Sequence, residues 1–360
     1  MKNDFLTAIL QITDEKKLSK DVVIGAIESA LTATYKRNIG QVPDVHVRLN
    51  EQTGEFRIFA EKRVVIEVRD PRTEISLKDA QEQPSRGDIG DLVEVEIEKP
   101  QDFGRIAAQT AKQVIKQRID DAERDRLFEE LAKKEHDLVS GVVQRIEQGR
   151  GVILDIGKVE ALLPPSEQPA GEHYRVNQRL KVLITEISKS PRGGIQVTVS
   201  RSHKELVKRL FELEVPEIYT GAVEIKEIAR DPGIRTKIAV HARQQGVDPV
   251  GACVGQRGVR IQNVVNELNG EKIDVAEWNE NPRTFVANAL RPAEVLAVTI
   301  DEVNKRATVV VPEKALSLAI GKDGQNARLA AKLTRWHIDI KRPADVAEQP
   351  PPEGGSEKGA

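Results

Sequence analysis

The spacing of hydrophobic and polar residues changes several times along the chain. Residues 5–38 repeat apolar positions every three to four residues, which predicts helices. Between 45 and 98, apolar and charged residues alternate, as in VHVRL and LVEVEIE, which predicts half-exposed strands. Helical spacing then returns in one long segment from Gly104 to about His136. These patterns predict an α+β first domain that covers residues 1–135.

The next segment, residues 136–201, has a different pattern. Short apolar runs such as GVILDIG and LKVLITEIS are separated by glycine or proline. They indicate five strands in about 65 residues, which is typical of a small closed barrel of the OB type. Helical spacing at 202–214 follows. The sequence therefore predicts a five-stranded β-barrel that leads into a helix.

An internal repeat occupies residues 222–342. Each copy has two predicted strands, a short helix, a Gly-x-x-Gly tetrad, a second helix and a closing strand. The tetrads begin at Gly255 and Gly321, which are 66 residues apart. This spacing predicts duplication of a whole folded unit, with limits at 216–281 and 282–345.

The tetrads carry the clearest candidate chemistry. A single Gly-x-x-Gly is weak evidence, and the one from Gly87 to Gly90 lies between strand-like segments and is given no function. The two repeated tetrads differ because each lies between two helices. Glycine lacks a Cβ, so a sugar-phosphate backbone can approach closely, and the following helix presents N–H groups and a positive dipole end. This arrangement predicts two tandem type II KH domains, whose loop clamps about four nucleotides.

We expect RNA contacts from both tetrads and from the start of each following helix. A solvated helix face stays open as the alternative for Arg260 and Asn326. The negative charge of Asp323 repels a phosphate, so we expect this residue either to cap the next helix or to contact a base edge. The expected RNA-binding residues are Gly255, Gln256, Arg257, Gly258, Arg260, Gly321, Lys322, Asp323, Gly324, Gln325, Asn326 and Arg328.

Composition narrows the possible classes of protein. With 39% hydrophobic and 31% charged residues, the chain is too apolar for wholesale disorder. The net charge of −2 and the 3% aromatic content disfavour binding by charge alone or on a broad stacking platform. One cysteine, Cys253, excludes a disulfide framework and a thiolate zinc cluster. No apolar run is long enough for a membrane helix, and the N-terminus has no secretory pattern, so we expect a cytoplasmic protein without metal or cofactor.

Basic residues outside the repeat are grouped in two places. In the first domain, their spacing places three on one side of the long helix, and two others end an earlier helix; a solvated face is the alternative. In the barrel, two arginines are weaker candidates for RNA contact, with a simple spacer role as the alternative. These residues are Lys36, Arg37, Arg105, Lys112 and Lys116 in the first domain, and Arg145 and Arg201 in the barrel. No nucleotide-binding P-loop, nucleophile elbow or zinc-protease motif occurs, so we expect no enzyme.

Several long stretches resemble the NusA family of bacterial transcription termination/antitermination factors. The resemblance spans about residues 1–342 and is weakest in the barrel. The stretches are FGRIAAQTAKQVI (103–115), VPEIYTGAVEIK (215–226), DPGIRTKIAV (231–240), VDPVGACVGQRG (247–258), FVANAL (285–290) and LSLAIGKDGQNARLAAKLT (316–334).

The resemblance implies a transcription elongation factor without catalytic activity. In that family, the first domain docks on core RNA polymerase near the RNA exit channel, and the five basic residues of this domain fall where such contacts are made. The S1 barrel (136–201) and the KH pair bind emerging single-stranded RNA and modulate pausing, termination and antitermination. Other Nus-type factors are expected partners. The absence of a heptad seam favours a monomer, and residues 346–360 predict a short disordered acidic tail.

Two other classes of protein stay open. An RNA-decay exonuclease resembling polynucleotide phosphorylase also carries S1 and KH modules, but it places KH before S1 and needs a larger catalytic core than 135 residues provide. A ribosome-bound KH protein is the other alternative, which cofractionation would distinguish.

Overall fold

The computed structural model describes residues 11, 13–14, 19–39, 44–50, 53–100, 102–190 and 194–347. They belong to two compact units, Met1–Glu130 and Leu131–Ala360. The elements that begin in the first unit are α1 (Lys20–Ile39), β1 (Val45–Asn50), β2 (Glu55–Val65), β3 (Glu74–Ser76), α2 (Leu77–Gln81), β4 (Leu92–Ile97) and α3 (Phe103–Ala132). The helical segment expected before residue 19 lies mostly outside the described residues.

Strand β2 organises the sheet of the first unit. It pairs antiparallel with β1 and β4 and parallel with β3. The alternation of β1 turns Val45 and Val47 inward, where they are buried. Ile27 of α1 and Ala111 of α3 lie in the same apolar core. The predicted α+β architecture is confirmed.

The second unit begins with a closed five-stranded barrel, as the sequence predicts. Its order is β5-β6-β7-β9-β8. Gly151 has a φ of 121°, and a Cβ there would lie 2.3 Å from the carbonyl oxygen of Leu163, so the β6–β7 pair requires glycine at this position. The strands are β5 (Leu138–Glu147), β6 (Gly151–Asp155), β7 (Glu160–Leu163), β8 (Arg179–Lys189) and β9 (Ile195–Ser200).

Two KH units follow, after helices α4 (Lys204–Glu214) and α5 (Pro216–Tyr219). In each unit the first two strands are antiparallel, and the third pairs parallel with the second. The first KH unit contains β10 (Val223–Asp231), β11 (Arg235–Ala242), α6 (Pro249–Val254), α7 (Val259–Glu267) and β12 (Lys272–Glu277). The second contains α8 (Pro282–Ala289), β13 (Ala297–Asp301), β14 (Arg306–Val310), α9 (Leu316–Ile320), α10 (Gln325–Thr334) and β15 (His337–Lys341).

The two KH units share one hydrophobic core. Ala229 and Ala239 of the first sheet pack in the same cluster as Phe285 of α8 and Leu329 of α10. Small side chains on the sheet let the helices of the second unit approach closely. The shared core makes the two KH units a single packed body.

A buried lysine supports the same junction. The Nζ atom of Lys237 donates to the carbonyl oxygen of Arg291 at 3.0 Å and lies 2.9 Å from Asp274. Burial lowers the pKa of Lys237, while Asp274 opposes that shift. The lysine therefore ties the first sheet to the chain segment that enters the second unit.

Residues Pro343–Ala347 form a short helix, α11. Arg342 donates to Asp345 from its backbone N–H and its guanidinium, which stabilises the first turn. The helix extends two residues into the segment 346–360 that the composition predicts as a disordered tail, and the rest of that segment lies outside the described residues. Among the helices that the structure describes, none is long and apolar enough to cross a membrane.

Candidate nucleic-acid interface

The two tetrads have the same backbone conformation. Their first glycines have φ and ψ of 74° and 174° at Gly255 and of 76° and 172° at Gly321. This region is essentially restricted to glycine. The last glycines, Gly258 and Gly324, are left-handed, with φ of 76° and 71°. The 66-residue sequence repeat is therefore also a repeat of loop geometry.

The first and last glycines of each tetrad have different surroundings. A Cβ on Gly255 would lie 2.8 Å from Cγ of Arg260, and one on Gly321 would lie 2.8 Å from the backbone N of Asn326. The first glycine thus lets the second helix pack against the end of the first. A Cβ on Gly258 or Gly324 would meet nothing within 4 Å, so open space lies in front of the last glycine.

Arg260 and Asn326 occupy equivalent positions and stabilise the helix–tetrad–helix turn. Nη1 of Arg260 donates to the carbonyl oxygen of Ala252 at 2.8 Å. In the second unit, Nδ2 of Asn326 donates to Ala319 and Leu290, each at 3.0 Å. Both side chains bind carbonyl oxygens near the end of the preceding helix, which a helix leaves unpaired.

These contacts bear differently on the RNA-binding expectation for the two residues. Asn326 is 1% exposed, so its amide has no access to RNA in this conformation, and the expected contact is corrected to a role in positioning the loop. Arg260 is partly exposed and lines the cleft beside the tetrad, and its guanidinium is 3.0 Å from Glu217. Arg260 therefore also positions the loop, and its contact with RNA stays a prediction.

Gln325 and Arg328 connect the two KH units. Asp231, the last residue of β10, accepts a hydrogen bond from Gln325 at 3.2 Å and one from Arg328 at 2.9 Å. The hydrogen bond from Gln325, followed by that from Arg328, holds the pKa of Asp231 below its usual range, although burial opposes the shift. Both side chains were expected at the RNA groove; the structure shows that they also join the two KH units, and their contact with RNA stays a prediction. Arg328 keeps 52% of its side chain exposed.

Four polar side chains of the tetrads face solvent. Gln256, Arg257, Lys322 and Asp323 are exposed, and within the described part of the chain no side chain pairs with Arg257 or Lys322. A cleft of about 700 Å³ lies beside the first tetrad. Its lining residues are Glu217, Val247, Asp248, Gly251, Ala252, Gly255, Gln256, Val259 and Arg260. The tetrads thus combine open glycine backbone with one unpaired cation each.

The barrel arginines are both engaged by carboxylates. Arg145 pairs with Glu160 at 3.0 Å and with Glu147 at 2.9 Å, and their hydrogen bonds raise the pKa of its guanidinium. It is exposed on the barrel surface but already neutralised.

Arg201 is 1% exposed, which corrects the expectation of RNA contact. It donates to Glu172 at 2.9 Å and to the carbonyl oxygens of Lys181 and Glu267, each at 2.7 Å. Burial lowers the pKa of Arg201, but Glu172 more than offsets this and the pKa is raised. The arginine therefore joins the barrel to α7 of the first KH unit.

Two of the basic residues in the N-terminal unit lie at the end of α1. The rings of Tyr35 and Phe103 meet edge to face with centroids 6.2 Å apart, which brings the end of α1 beside the start of α3. Lys36 and Arg37 directly follow Tyr35 and are exposed, and Lys36 lies 3.4 Å from Asp44.

Arg105, Lys112 and Lys116 are exposed on α3. In this part of the described chain, no side chain pairs with any of these three cations. The long helix therefore presents an unpaired basic stripe, as its spacing predicts. Across the described residues, no cluster of His, Cys, Asp and Glu has the arrangement of a metal site.

Comparison with protein families matches nearly the whole chain. Four family models match: the NusA N-terminal domain at residues 4–125, the S1 RNA binding domain at 133–200, the NusA-like first KH domain at 201–278 and the NusA-like second KH domain at 282–348.

Individual relatives agree with these matches. The transcription termination/antitermination protein NusA of Halalkalibacterium halodurans is 52% identical over 97% of this chain and 90% of its own length. That of Bacillus subtilis is 51% identical over 97% of this chain and 93% of its own length. The solution structure of the N-terminal domain of NusA from B. subtilis is 51% identical and covers 34% of this chain and 99% of its own, with a TM-score of 0.30.

Proposed function

The chain belongs to the NusA family of transcription termination/antitermination proteins. We propose that it acts in termination and antitermination by binding RNA polymerase and the single-stranded RNA that the polymerase releases. The observation that carries the RNA part is the pair of matching tetrads on one packed body. Each has open space at its last glycine and one unpaired cation, Arg257 or Lys322. Such a loop suits a phosphodiester backbone that must approach the protein main chain.

Each domain has its own proposed role. Residues 1–135 form the polymerase-binding domain, 136–201 the S1 barrel, and 216–281 and 282–345 the two KH domains. The unpaired stripe of Arg105, Lys112 and Lys116, with Lys36 and Arg37 beside it, provides the polymerase or exit-channel contact. Neither RNA nor polymerase contact requires a catalytic step or a cofactor, and we propose that the protein acts as a cytoplasmic monomer alongside other Nus-type factors.

Weak contacts at each site are sufficient in this scheme. Two joined KH grooves raise the effective concentration of RNA at the second groove once the first is occupied. Attachment to polymerase does the same for RNA that leaves the exit channel. The net charge of −2 agrees with local recognition rather than with a strongly basic surface.

The test compares two charge reversals in the full-length chain. R257E/K322E should abolish most binding to a 20-nucleotide single-stranded RNA and lower the salt dependence of binding, while the protein still co-elutes with bacterial core RNA polymerase. R105E/K112E should lose co-elution with the polymerase and keep most of its RNA binding. Both variants should reduce the effect of the protein on read-through at an intrinsic terminator in purified transcription.

Control variants reverse charges elsewhere on the same elements or units. R118E alters the other side of the same helix α3, and R283E/R306E alters two exposed arginines outside the tetrads. Both controls should behave as the unaltered protein. If the unaltered chain binds RNA but neither co-elutes with polymerase nor changes read-through, the polymerase role is wrong and ribosome cofractionation becomes the measurement to make.

A further inference from the structure

Tyr219 is an unusual residue on the surface of this protein. The residue is 82% exposed, and it is the one exposed Phe, Tyr or Trp among the described residues. Aromatic rings supply much of the burial energy of a core, and here the other described aromatic side chains are at least partly covered. A fully presented ring in a chain so poor in aromatics points to a binding role.

The backbone under this ring is fixed. The N–H of Tyr219 donates to the carbonyl oxygen of Val215 at 3.2 Å, and Val215 is fully buried. Ile218, the residue before it, packs against the core between α4 and the first KH sheet. Gly221, with a φ of 79°, follows the helix. Helix α5 therefore projects the ring into solvent from a rigid base.

The same helix forms a wall of the cleft at the first tetrad. Glu217, two residues before Tyr219, lies 3.0 Å from Nη1 of Arg260. The stem of Arg260 packs against the position of Gly255, the first glycine of the tetrad. Glu217 thus lines the cleft at the first tetrad, and Tyr219, two residues further along the same helix, lines a second cleft.

This second cleft has a volume of about 630 Å³ and both apolar and charged lining residues. Leu138, Leu213 and Pro216 line it together with Tyr219. This volume accommodates a nucleobase, and aliphatic and aromatic walls suit the flat faces of a base.

Charged groups at this cleft favour the base over the phosphate. Arg209 is held by Glu212 at 2.9 Å and by Asp137 at 3.5 Å, so its charge is already matched. With two carboxylates and one guanidinium, the cleft keeps a net negative charge, which disfavours a phosphodiester there. This charge favours a nucleotide orientation with the base in the cleft and the phosphate on the side of the tetrad, where Arg257 is unpaired.

We propose that Tyr219 stacks on an RNA base directly adjacent to the nucleotides clamped by the first tetrad, so that the binding site extends beyond the KH groove into the cleft beside α4. The proposal rests on the RNA-binding function proposed above. It adds one stacked nucleotide whose recognition depends on the ring and not on its hydroxyl group.

The test measures RNA affinity of the full-length chain with a 20-nucleotide single-stranded RNA of mixed sequence. Y219A should weaken binding by about 5- to 150-fold, the range for loss of one stacked base. Y219F should bind as the unaltered protein because it keeps the ring, whereas Y219L should resemble Y219A. V303A is the control, since Val303 is 92% exposed in the β13–β14 turn.

Photo-crosslinking locates the contact independently of affinity. The same RNA with 5-iodouridine placed at successive positions should crosslink to Tyr219 from one position only, and R257E should reduce that crosslink. If the unaltered protein binds RNA and R257E weakens it, but Y219A binds equally well, the stacking proposal is wrong and the exposed ring serves a protein partner. If the unaltered protein does not bind RNA, the proposed function itself is wrong.

Discussion

Arg328, in the second KH unit, donates a hydrogen bond of 2.9 Å to Asp231, at the end of the first strand of the first KH unit. Arg328 lies only four residues beyond the last glycine of the second tetrad. The side chain that the sequence offers as an RNA contact therefore serves first to fix the helix after that tetrad against the neighbouring unit.

This contact leads to a prediction for R328A. RNA affinity should change less than about twofold, because the guanidinium is already paired with Asp231. Stability should fall by less than about 1 kcal/mol, since the pair is half exposed and screened by solvent. Fluorescence anisotropy with labelled RNA and thermal unfolding measure the two effects, and a tenfold loss of affinity would show that Arg328 contacts RNA directly.

The first glycines of the tetrads should tolerate alanine unequally. Both have backbone angles that cost a non-glycine residue about 1–3 kcal/mol. In G321A the new Cβ also meets the backbone N of Asn326, which has little freedom to move, whereas in G255A it meets the flexible stem of Arg260. G321A should therefore lower the melting temperature more than G255A.

Alanine at the last glycine provides the comparison. G324A should cost about 1–2 kcal/mol from its left-handed φ alone, because no atom lies within 4 Å of the new Cβ. Its loss of RNA affinity should exceed what its stability explains, since the methyl group occupies the open space. Equal melting temperatures for G255A and G321A would contradict the packing argument.

Replacing Arg201 should destabilise the joint between the barrel and the first KH unit. R201M leaves Glu172, which is 5% exposed, without its guanidinium partner, and breaking one side of such a buried pair costs about 3–5 kcal/mol. Urea unfolding followed by tryptophan fluorescence measures the loss. R145M removes an arginine with two carboxylate partners from the same barrel but at the surface, and it should leave the unfolding midpoint almost unchanged.

Stability should fall in alkaline solution partly because of Cys253. Burial raises the pKa of this thiol to about 12 from an ordinary value near 9. The folded state therefore keeps a proton that the unfolded chain releases. The contribution of the protonated thiol to the free energy of unfolding is complete below pH 9 and is lost as the pH rises towards 12. Its slope is at most about 1.4 kcal/mol per pH unit.

Variant C253A removes this titration and is the matched control. It should be less stable than the unaltered protein at pH 8, because it leaves a small cavity, but its stability should decline less steeply between pH 9 and 10.5. Parallel slopes for the two proteins over that interval would show that the thiol does not titrate as its burial implies.

Local sequence patterns predicted the architecture well, but they predicted the contacts of individual polar side chains less well. Alternation and helical spacing are set by neighbouring residues, so the barrel, the first sheet and the duplicated KH units could be predicted. The partners of Arg201 and Arg328 lie 20 to 97 residues away in sequence. Nothing near these arginines indicates a distant carboxylate or carbonyl, and both resembled free cations.

Tyr219 is a candidate site residue that the sequence did not indicate. Its neighbours Pro216, Glu217 and Ile218 are ordinary helix-start residues, and a tyrosine in such a segment is usually covered. Only the packing of Ile218 into the core and the pairing of Glu217 with Arg260 show that the ring points to solvent beside the tetrad.

The shared core of the two KH units has a consequence for the shape of the RNA. Because Phe285 and Leu329 pack in one core with the sheet of the first KH unit, the two tetrads belong to one packed body. Under the proposed function, a strand that reaches both tetrads must stay unpaired between them, and every base in a hairpin stem is withdrawn from that stretch. The proposal therefore implies that folding of the transcript and binding by the protein compete for the same nucleotides, so that the time at which a hairpin forms matters as well as its sequence.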